Sequence, residues 1–212
     1  MKILPCHDES SIKEAADVIH HGGVVAVPTD TFYGLAVDPL NIGALVRLLA
    51  AKGRDEGHGI LLLLSQAFMM KPFVSYLPAD FEQWDLWPCA VTFLLPARPG
   101  LPLVLTGGSE KIGIRTPDAP VVNQLCNHLG HAITGTSANR SGTVPATCIE
   151  DMSGFAGDID AVIDGGRLSA TLPSTIVDLT GPDPVLVRPG AVSFESVLAR
   201  IRRKVNNSNS EV

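Results

Sequence analysis

A chain of 212 residues, of which 45% are hydrophobic and 18% charged, is long enough to bury the core of one globular domain. Its formal net charge of −6 argues against a surface that is basic throughout and binds nucleic acid nonspecifically. No apolar run approaches the roughly 18 residues of a membrane span, and Met1 to Glu9 lack the features of a signal peptide. The four cysteines have no Cys-x-x-Cys spacing, so we expect a cytoplasmic protein with reduced thiols.

The first elements are a helix and a buried strand. Ser11-Ile-Lys-Glu14 has the pattern of a capping box, and we predict a helix from there to Gly22. The apolar run Val24 to Val27 predicts a strand, which Pro28 stops. The polar turn Thr29-Asp30-Thr31 then lies at the carboxyl end of the strand, where open α/β sheets bind ligands. Alternatively, these side chains only hydrogen-bond their own backbone and hold the turn.

A second helix begins at Asn41 and runs into Lys52-Gly53-Arg54. Its predicted buried side chains are Ile42, Leu45, Val46 and Leu49. Short strands are predicted at Ile60 to Leu64, Val91 to Leu95 and Ile112 to Arg115. The stretch between the first two of these strands, residues 66 to 87, has a mixed and partly helical pattern.

The second half of the chain continues the mixture of helices and strands. Asp118 is the predicted cap of a helix that Gly130 closes, and a strand from His131 to Gly135 follows. Thr147-x-x-Glu150 predicts a second capping box, and Ser193 the cap of the last helix. Three more short strands are predicted at 161–163, 175–179 and 185–187, and the polar segment 206–212 is predicted to fray.

This order of elements predicts one α/β domain over residues 1–212, with its core at about 11–201. Strands and helices do not alternate strictly, so we expect a twisted, mixed and largely open sheet with helices around a concave cleft. The chain shows no internal repeat and no linker that would divide it.

Four cations lie at the ends of predicted elements beside glycine or proline: Lys52, Arg54, Arg115 and Arg188. Such a set suits an anionic ligand such as a nucleoside triphosphate. For Lys52 alone, the interaction of a cation with a helix C-terminus is a sufficient explanation. The chain has neither a Gly-x-x-x-x-Gly-Lys-Ser/Thr loop nor a Gly-x-Gly-x-x-Gly motif, so ATP binding would need another device.

Two further patterns leave alternatives open. Gly135-x-Ser137-x-Asn139 differs by one residue from the nucleophile elbow of serine hydrolases, which makes an acyl or carbamoyl hydrolase a weak alternative. The C-terminal basic run is either a solvated helix face or a contact for RNA phosphates. It consists of Arg200, Arg202, Arg203 and Lys204.

Seven motifs in one order resemble the YrdC/TsaC family in its short, single-domain form, from about Ser11 to about Ile201. They are Pro28-Thr-Asp-Thr-Phe-Tyr-Gly34, Lys52-Gly-Arg54, Trp87-Pro88 with Val91-Thr-Phe93, Gly113-Ile-Arg115, Thr136-Ser-Ala-Asn-Arg-Ser-Gly142, Ser174-Thr-Ile-Val-Asp178 and Arg188-Pro-Gly190. The resemblance implies an enzyme that makes threonylcarbamoyl-AMP and pyrophosphate from L-threonine, bicarbonate or CO2, and ATP. The product serves the N6-threonylcarbamoyladenosine (t6A) modification of tRNA.

The same motifs contain the positions that are functional in the family. The resemblance implies a catalytic set of Lys52, Arg54, Ser137 and Asn139, which related YciO-type proteins lack. It implies threonine binding by Thr31, Arg115 and Ser174, and ATP binding by Arg54, His58, Ser137, Asn139 and Arg188. Mg²⁺ is expected with ATP, without a dedicated metal site in the sequence. Implied partners are TsaD/TsaB/TsaE-type t6A proteins, with a contact to tRNA as a further candidate.

The chain departs from the family pattern at two places. Asp55 and His58 stand where proline and asparagine are usual after Lys52-Gly-Arg54, and Cys89-Ala90 replaces a usual Gly-Pro. The first change puts an acid beside the phosphate-binding cations, whereas the second is expected to alter only a turn. The alternative function is an RNA-binding module of the same fold that lacks synthase activity.

Overall fold

The computed structural model of the protein describes residues 1–53, 57–78, 81, 87–155 and 157–208. The strands are β1 (Lys2–Pro5), β2 (Val25–Val27), β3 (Gly34–Ala36), β4 (Leu62–Leu63), β5 (Val91–Pro96), β6 (Lys111–Arg115), β7 (Ile133–Thr134), β8 (Thr136–Ser137), β9 (Ala161–Asp164), β10 (Thr175–Asp178) and β11 (Val185–Arg188). The helices are α1 (Glu9–His20), α2 (Ile42–Lys52), α3 (Leu103–Thr106), α4 (Pro120–Leu129) and α5 (Phe194–Ser208), with 3-10 segments at Ala67–Met70 and Ile149–Phe155.

The strands form two mixed sheets, which confirms the predicted α/β class. The sequence had predicted one sheet, and the structure has two. The first sheet has the order β1-β9-β2-β3-β8, and the second has the order β11-β10-β5-β6-β4-β7. Parallel pairs such as β5 with β10 and antiparallel pairs such as β5 with β6 occur in the same sheet. Both sheets are open, and all four residues of the edge strand β11 are exposed.

The chain passes from the second sheet to the first between β7 and β8, with Gly135 as the only intervening residue. A Cβ at Gly135 would lie 2.3 Å from Cγ of Leu63, so a larger residue does not fit at this crossing. Thr134 joins the two sheets, because its hydroxyl accepts a hydrogen bond from Val37 N and donates one to Leu35 O. The crossing therefore brings the polar residues after β7 to the space between the sheets.

Helix α2 confirms the predicted cap and corrects the predicted buried face. Asn41 accepts a hydrogen bond from Ala44 N at 3.1 Å, but Ile42 and Val46 are exposed. The buried stripe is Leu45, Leu48, Leu49 and Lys52, which has the helical spacing i, i+3, i+4 and i+7. Since Lys52 continues this apolar stripe, its side chain points inward at the end of the helix.

The predicted starts of helices α1 and α4 were wrong. Helix α1 is capped by Asp8, which accepts from Ser10 N, and Ser11 lies buried inside the helix. An acidic acceptor three residues earlier thus takes the place of the predicted box. Helix α4 begins at Pro120 without a side-chain cap, because Ala119 occupies the N-cap position and Asp118 lies one residue before it. The backbone N–H of Asp118 instead donates to Asp30.

Of the predictions for the second half of the chain, one helix cap is confirmed and one capping box is wrong. Ser193 caps α5 as predicted, whereas the backbone and hydroxyl of Thr147 bond to Asp151 rather than Glu150. Of the segment 206–212, which was predicted to fray, residues 206–208 continue α5, and residues 209–212 lie outside the described residues. None of the four cysteines, all within the described ranges, forms a disulfide. No helix in the described part of the chain is long and apolar enough to cross a bilayer.

Candidate functional site

Two adjoining pockets open between the sheets, and Ser137 lines both. The larger has a volume of about 800 Å³ and reaches the predicted threonine residues Thr31, Arg115 and Ser174, together with Arg188. The smaller has a volume of about 400 Å³ and lies over the end of α2. Its lining residues are Lys52, Gly53, His58, Ser137, Asn139, Ser141 and Gly142. The structure thus places most of the predicted site residues around one cleft with two compartments.

The predicted cation Lys52 is 97% buried beneath the smaller pocket, since its relative exposure is 3%. Its ammonium group donates hydrogen bonds to the backbone oxygens of Ser137 and Asn139, and to the Asn139 side-chain oxygen at 3.1 Å. The Ser137 hydroxyl donates to that same side-chain oxygen at 2.6 Å. The Asn139 amide nitrogen donates to Thr143 O, which determines the orientation of the amide. Lys52, Ser137 and Asn139 therefore form one connected group.

Arg140, which the sequence did not single out, joins this group to the end of α2. Its guanidinium donates to the carbonyl oxygens of Ala51 and Gly154 and pairs with Asp158. The next residue, Ser141, donates its backbone N–H to Lys52 O at 2.9 Å. The bonds to Ala51 O and Lys52 O satisfy carbonyls at the C-terminus of α2, which otherwise have no helical partner. Lys52 therefore hydrogen-bonds to the 137–139 segment, and residues 140 and 141 hydrogen-bond to the end of α2.

In the larger pocket, Arg115 ends strand β6 and is also almost fully buried, at 3% relative exposure. It forms an ion pair with Asp30, and it donates to the Thr31 hydroxyl at 3.3 and 3.4 Å. Burial lowers the pKa of the Arg115 guanidinium, and the charge of Asp30 opposes that effect. The group remains cationic, because arginine keeps its proton in proteins.

The turn 29–31 combines both roles that the sequence left open. The hydroxyl of Thr29 accepts from Thr31 N and donates to Phe32 O, so Thr29 holds the turn as predicted. Thr31 turns its hydroxyl toward Arg115 in the pocket. Asp30 does not bond to the backbone of the turn, as the second alternative supposed, because its carboxylate faces Arg115 and helix α4.

On the opposite wall, Ser174 is buried and shares a 2.9 Å hydrogen bond with the hydroxyl of Thr92. Arg188 donates to Ser174 O at 2.8 Å and contacts its hydroxyl at 3.3 Å. This approach depends on Gly190, where a Cβ would lie 2.4 Å from Pro173 O. Burial lowers the pKa of Arg188. Between the polar walls, the floor of the pocket is apolar and includes Leu61, Leu63, Leu94 and Ile176.

The remaining predicted residues are His58 and Arg54. His58 lines the smaller pocket. Arg54 and Asp55 lie outside the described residues, so the position of Arg54 stays a prediction from the motif. The sequence missed Asp30 as the partner of Arg115, Thr92 as the partner of Ser174, and Arg140. Of these, only Asp30 could have been found from the sequence, because an acid in a polar turn after a buried strand is positioned to pair with a cation.

The arrangement around Ser137 argues against the hydrolase alternative. A serine nucleophile needs a general base that takes the proton of its hydroxyl. In the described part of the chain, that hydroxyl donates to the Asn139 amide oxygen, which is not a base. The geometry instead offers two buried cations, hydroxyl groups and an apolar floor, which suit an anionic, partly apolar ligand.

Comparison with known proteins agrees with the resemblance seen in the motifs. The Sua5/YciO/YrdC family model, described as Telomere recombination, matches residues 17–190. Threonylcarbamoyl-AMP synthase of Halorhodospira halophila is 33% identical over 176 residues, which cover 82% of this chain and 88% of that protein.

Solved structures share the fold. Pyrococcus abyssi Sua5 in complex with L-threonine has a TM-score of 0.87 and 32% identity over 92% of this chain, which spans 58% of that protein. Escherichia coli YciO has a TM-score of 0.80 at 24% identity, covering 92% of this chain and 97% of that protein. The family model matches residues 17–190, and one relative is 33% identical over 82% of this chain. The chain therefore belongs to the Sua5/YciO/YrdC family.

Proposed function

We propose that this protein is an L-threonylcarbamoyladenylate synthase, a nucleotidyltransferase that makes threonylcarbamoyl-AMP and pyrophosphate from L-threonine, bicarbonate or CO2, and ATP. The observation that carries the proposal is the pair of adjoining pockets that share Ser137, each with a buried cation. Arg115 in one pocket suits the carboxylate of an amino acid, and Lys52 beside the other suits the phosphates of a nucleotide. The family membership and the names of the relatives support the same activity.

In this reaction the amino group of threonine and CO2 combine to a carbamate, and a carbamate oxygen attacks the α-phosphorus of ATP. The bond from the α-phosphorus to the bridging oxygen breaks, and pyrophosphate leaves with that oxygen. The protein supplies positions and charge rather than a nucleophile. Lys52, with Arg54, would stabilise the negative charge that develops on the leaving pyrophosphate. Ser137 lines both pockets and Asn139 lines the smaller one, and the two side chains would orient the reacting carbamate and phosphate.

The other residues bind the ends of the substrates. Thr31 and Arg115 would hold the threonine carboxylate and Ser174 would contact the amino acid, while Arg188 and His58 would contact the nucleotide. In the described ranges no three acidic, histidine or cysteine side chains cluster as a metal site. The donors around the smaller pocket are hydroxyl, amide and imidazole groups, so we propose that Mg²⁺ is bound mainly through the ATP phosphates.

The test is release of pyrophosphate from ATP by the purified protein, with each substrate omitted in turn. We expect release only when L-threonine and bicarbonate are both present. Release that continues without threonine, or no release even when TsaD/TsaB/TsaE-type partner proteins are added, would contradict the proposal. Salt-dependent RNA binding without ATP turnover would favour the RNA-binding alternative. We further propose that the product is handed to such partners for tRNA modification in the cytoplasm.

Arg140 gives a prediction about the smaller pocket. Because Arg140 bonds the 139–142 segment to Ala51 O of α2 and to Gly154 O, Arg140→Ala is expected to lower kcat/KM for ATP by about 10-fold or more, the usual effect of losing a hydrogen bond to a charged group. Arg140→Lys should restore little, since lysine lacks the two-pronged guanidinium. The measurement is steady-state kinetics with ATP and threonine varied separately.

The matched control for Arg140 is Asp158→Asn, which removes only the exposed ion pair at 2.7 Å. Exposed ion pairs contribute little, so the control should keep the kinetics of the wild type. If Asp158→Asn lowers kcat/KM as much as Arg140→Ala, the ion pair and not the bonds to Ala51 O and Gly154 O positions the 139–142 segment.

A further inference from the structure

Asp30 is the anchor of the buried guanidinium in the larger pocket. Among the described residues, the guanidinium of Arg115 donates hydrogen bonds to two side chains there, the Asp30 carboxylate and the Thr31 hydroxyl. The Thr31 contacts, at 3.3 and 3.4 Å, are long for hydrogen bonds. The third donor group, Nε of Arg115, is buried and has no hydrogen-bond partner among the described residues. The orientation of the guanidinium therefore depends mainly on its ion pair with Asp30.

Asp30 uses both carboxylate oxygens, and the two bonds lead to different elements. One oxygen pairs with Nη2 of Arg115 at the end of β6. The other accepts the backbone N–H of Asp118, just before α4, at 3.3 Å, which is as long as the Thr31 contacts. Only a carboxylate offers an acceptor to both donors at once. An asparagine at this position has one oxygen and one NH2 group, so it would set a donor against either the guanidinium or the Asp118 N–H.

The turn that carries Asp30 does not depend on this carboxylate. Thr29 closes it through bonds to Thr31 N and Phe32 O, and the side-chain bonds of Asp30 leave the turn altogether. The ion pair is shielded from water, with relative side-chain exposures of 3% for Arg115 and 13% for Asp30. Removing one partner of a buried ion pair costs far more stability than removing one partner of a surface pair.

We infer that Asp30 is a positioning residue for the amino-acid subsite: it holds Arg115 in place for the carboxylate of the substrate and so sets the affinity for L-threonine, but not for ATP. This inference rests on the proposed function. Asp30 does not touch the substrate in this role and acts through Arg115. Its effect on ATP is expected to be small, because the side-chain bonds of Asp30 go to Arg115 and Asp118. They do not reach Arg188, the proposed nucleotide ligand in the larger pocket, or any residue that lines the smaller pocket.

The test compares Asp30→Asn with Asp178→Asn. Asp178 is a matched control, because its carboxylate also pairs with a cation on β6, Lys111, and also accepts from a backbone N–H, that of Thr180. It does not line either compartment of the cleft. L-threonine binding is measured by calorimetry, and KM for threonine, KM for ATP and kcat are measured by pyrophosphate release.

For Asp30→Asn we expect the Kd and KM for threonine to rise about 10-fold or more, the usual effect of losing a hydrogen bond to a charged group. KM for ATP should stay as in the wild type, and Asp178→Asn should leave all three constants unchanged. An unchanged or lower threonine KM in Asp30→Asn overturns the inference, and a lower one would mean that Asp30 competes with the substrate. An equal rise in KM for ATP also overturns it, because a general structural defect affects both pockets.

If Asp30→Asn does not fold, Asp30→Glu replaces it in the same measurements. It keeps both acceptors and displaces them by one methylene, and KM for threonine alone should rise. A threonine KM equal to that of the wild type would overturn the inference here too. Wild-type protein that neither binds threonine nor releases pyrophosphate would overturn the proposed function itself, whereas equal threonine binding by wild type and Asp30→Asn overturns only the role of Asp30.

Discussion

Lys52→Met is expected to lower kcat/KM for threonylcarbamoyl-AMP synthesis by about 10²- to 10³-fold, the usual effect of removing one group that stabilises charge in a transition state. Methionine has a similar length and suits the buried stripe of α2, so the volume is kept and the charge is lost. The substitution also leaves the oxygens of Ser137 and Asn139 without the ammonium donor. Steady-state pyrophosphate release measures the effect.

Lys111→Met is the control for Lys52→Met. Lys111 also forms an ion pair, with Asp178, but it is partly exposed and lies on β6 away from both pockets. We expect its kinetics to match those of the wild type. Near-normal synthesis by Lys52→Met would show that Lys52 only offsets the dipole of α2 and packs against the 137–139 segment.

Arg115→Met is expected to destabilise the protein by about 3–5 kcal/mol, because it leaves the carboxylate of Asp30 buried without its cation. It should also weaken threonine binding by about 10- to 100-fold through loss of the bond to the substrate carboxylate. Thermal or urea unfolding measures the first effect, and calorimetry with L-threonine measures the second.

The double variant Asp30→Asn/Arg115→Met separates these two effects of Arg115. With both charges removed, much of the lost stability should return, since a neutral pair of similar volume replaces the buried ion pair. Threonine binding should stay weak, because the cation is still absent. Recovery of threonine binding in the double variant would contradict the role of Arg115 as the carboxylate ligand.

The sequence was most informative where one short pattern determines a local structure. Asn41 and Ser193 cap their helices as predicted, and the strands after Val24 and Val91 lie within one or two residues of their predicted bounds. In the predicted buried face of α2, Leu45 and Leu49 are buried, whereas Ile42 and Val46 are exposed. The stripe lies one turn nearer the end of the helix than predicted, because its last member is Lys52, which a search for apolar residues leaves out. A buried lysine is unexpected from sequence, since lysine is rarely buried without partners.

Contacts between distant segments could not be read from the sequence. The partner of Asp30 is 85 residues away along the chain, and Thr92 and Ser174 are 82 residues apart. Such pairs follow from the order of strands in the two sheets, and short strands of two to six residues carry little information about their neighbours. The motifs predicted which residues belong to the site, whereas the register of β5, β6 and β10 determines which of them meet.

The most direct test of the central claim is mass spectrometry of the product formed from ATP, L-threonine and ¹³C-bicarbonate. The two-pocket cleft predicts a threonylcarbamoyl adenylate that contains the ¹³C label, formed together with unlabelled pyrophosphate. An adenylate of threonine without the label, or ADP and phosphate in place of pyrophosphate, would contradict it, because the carbamate would then not be the group that attacks the α-phosphorus.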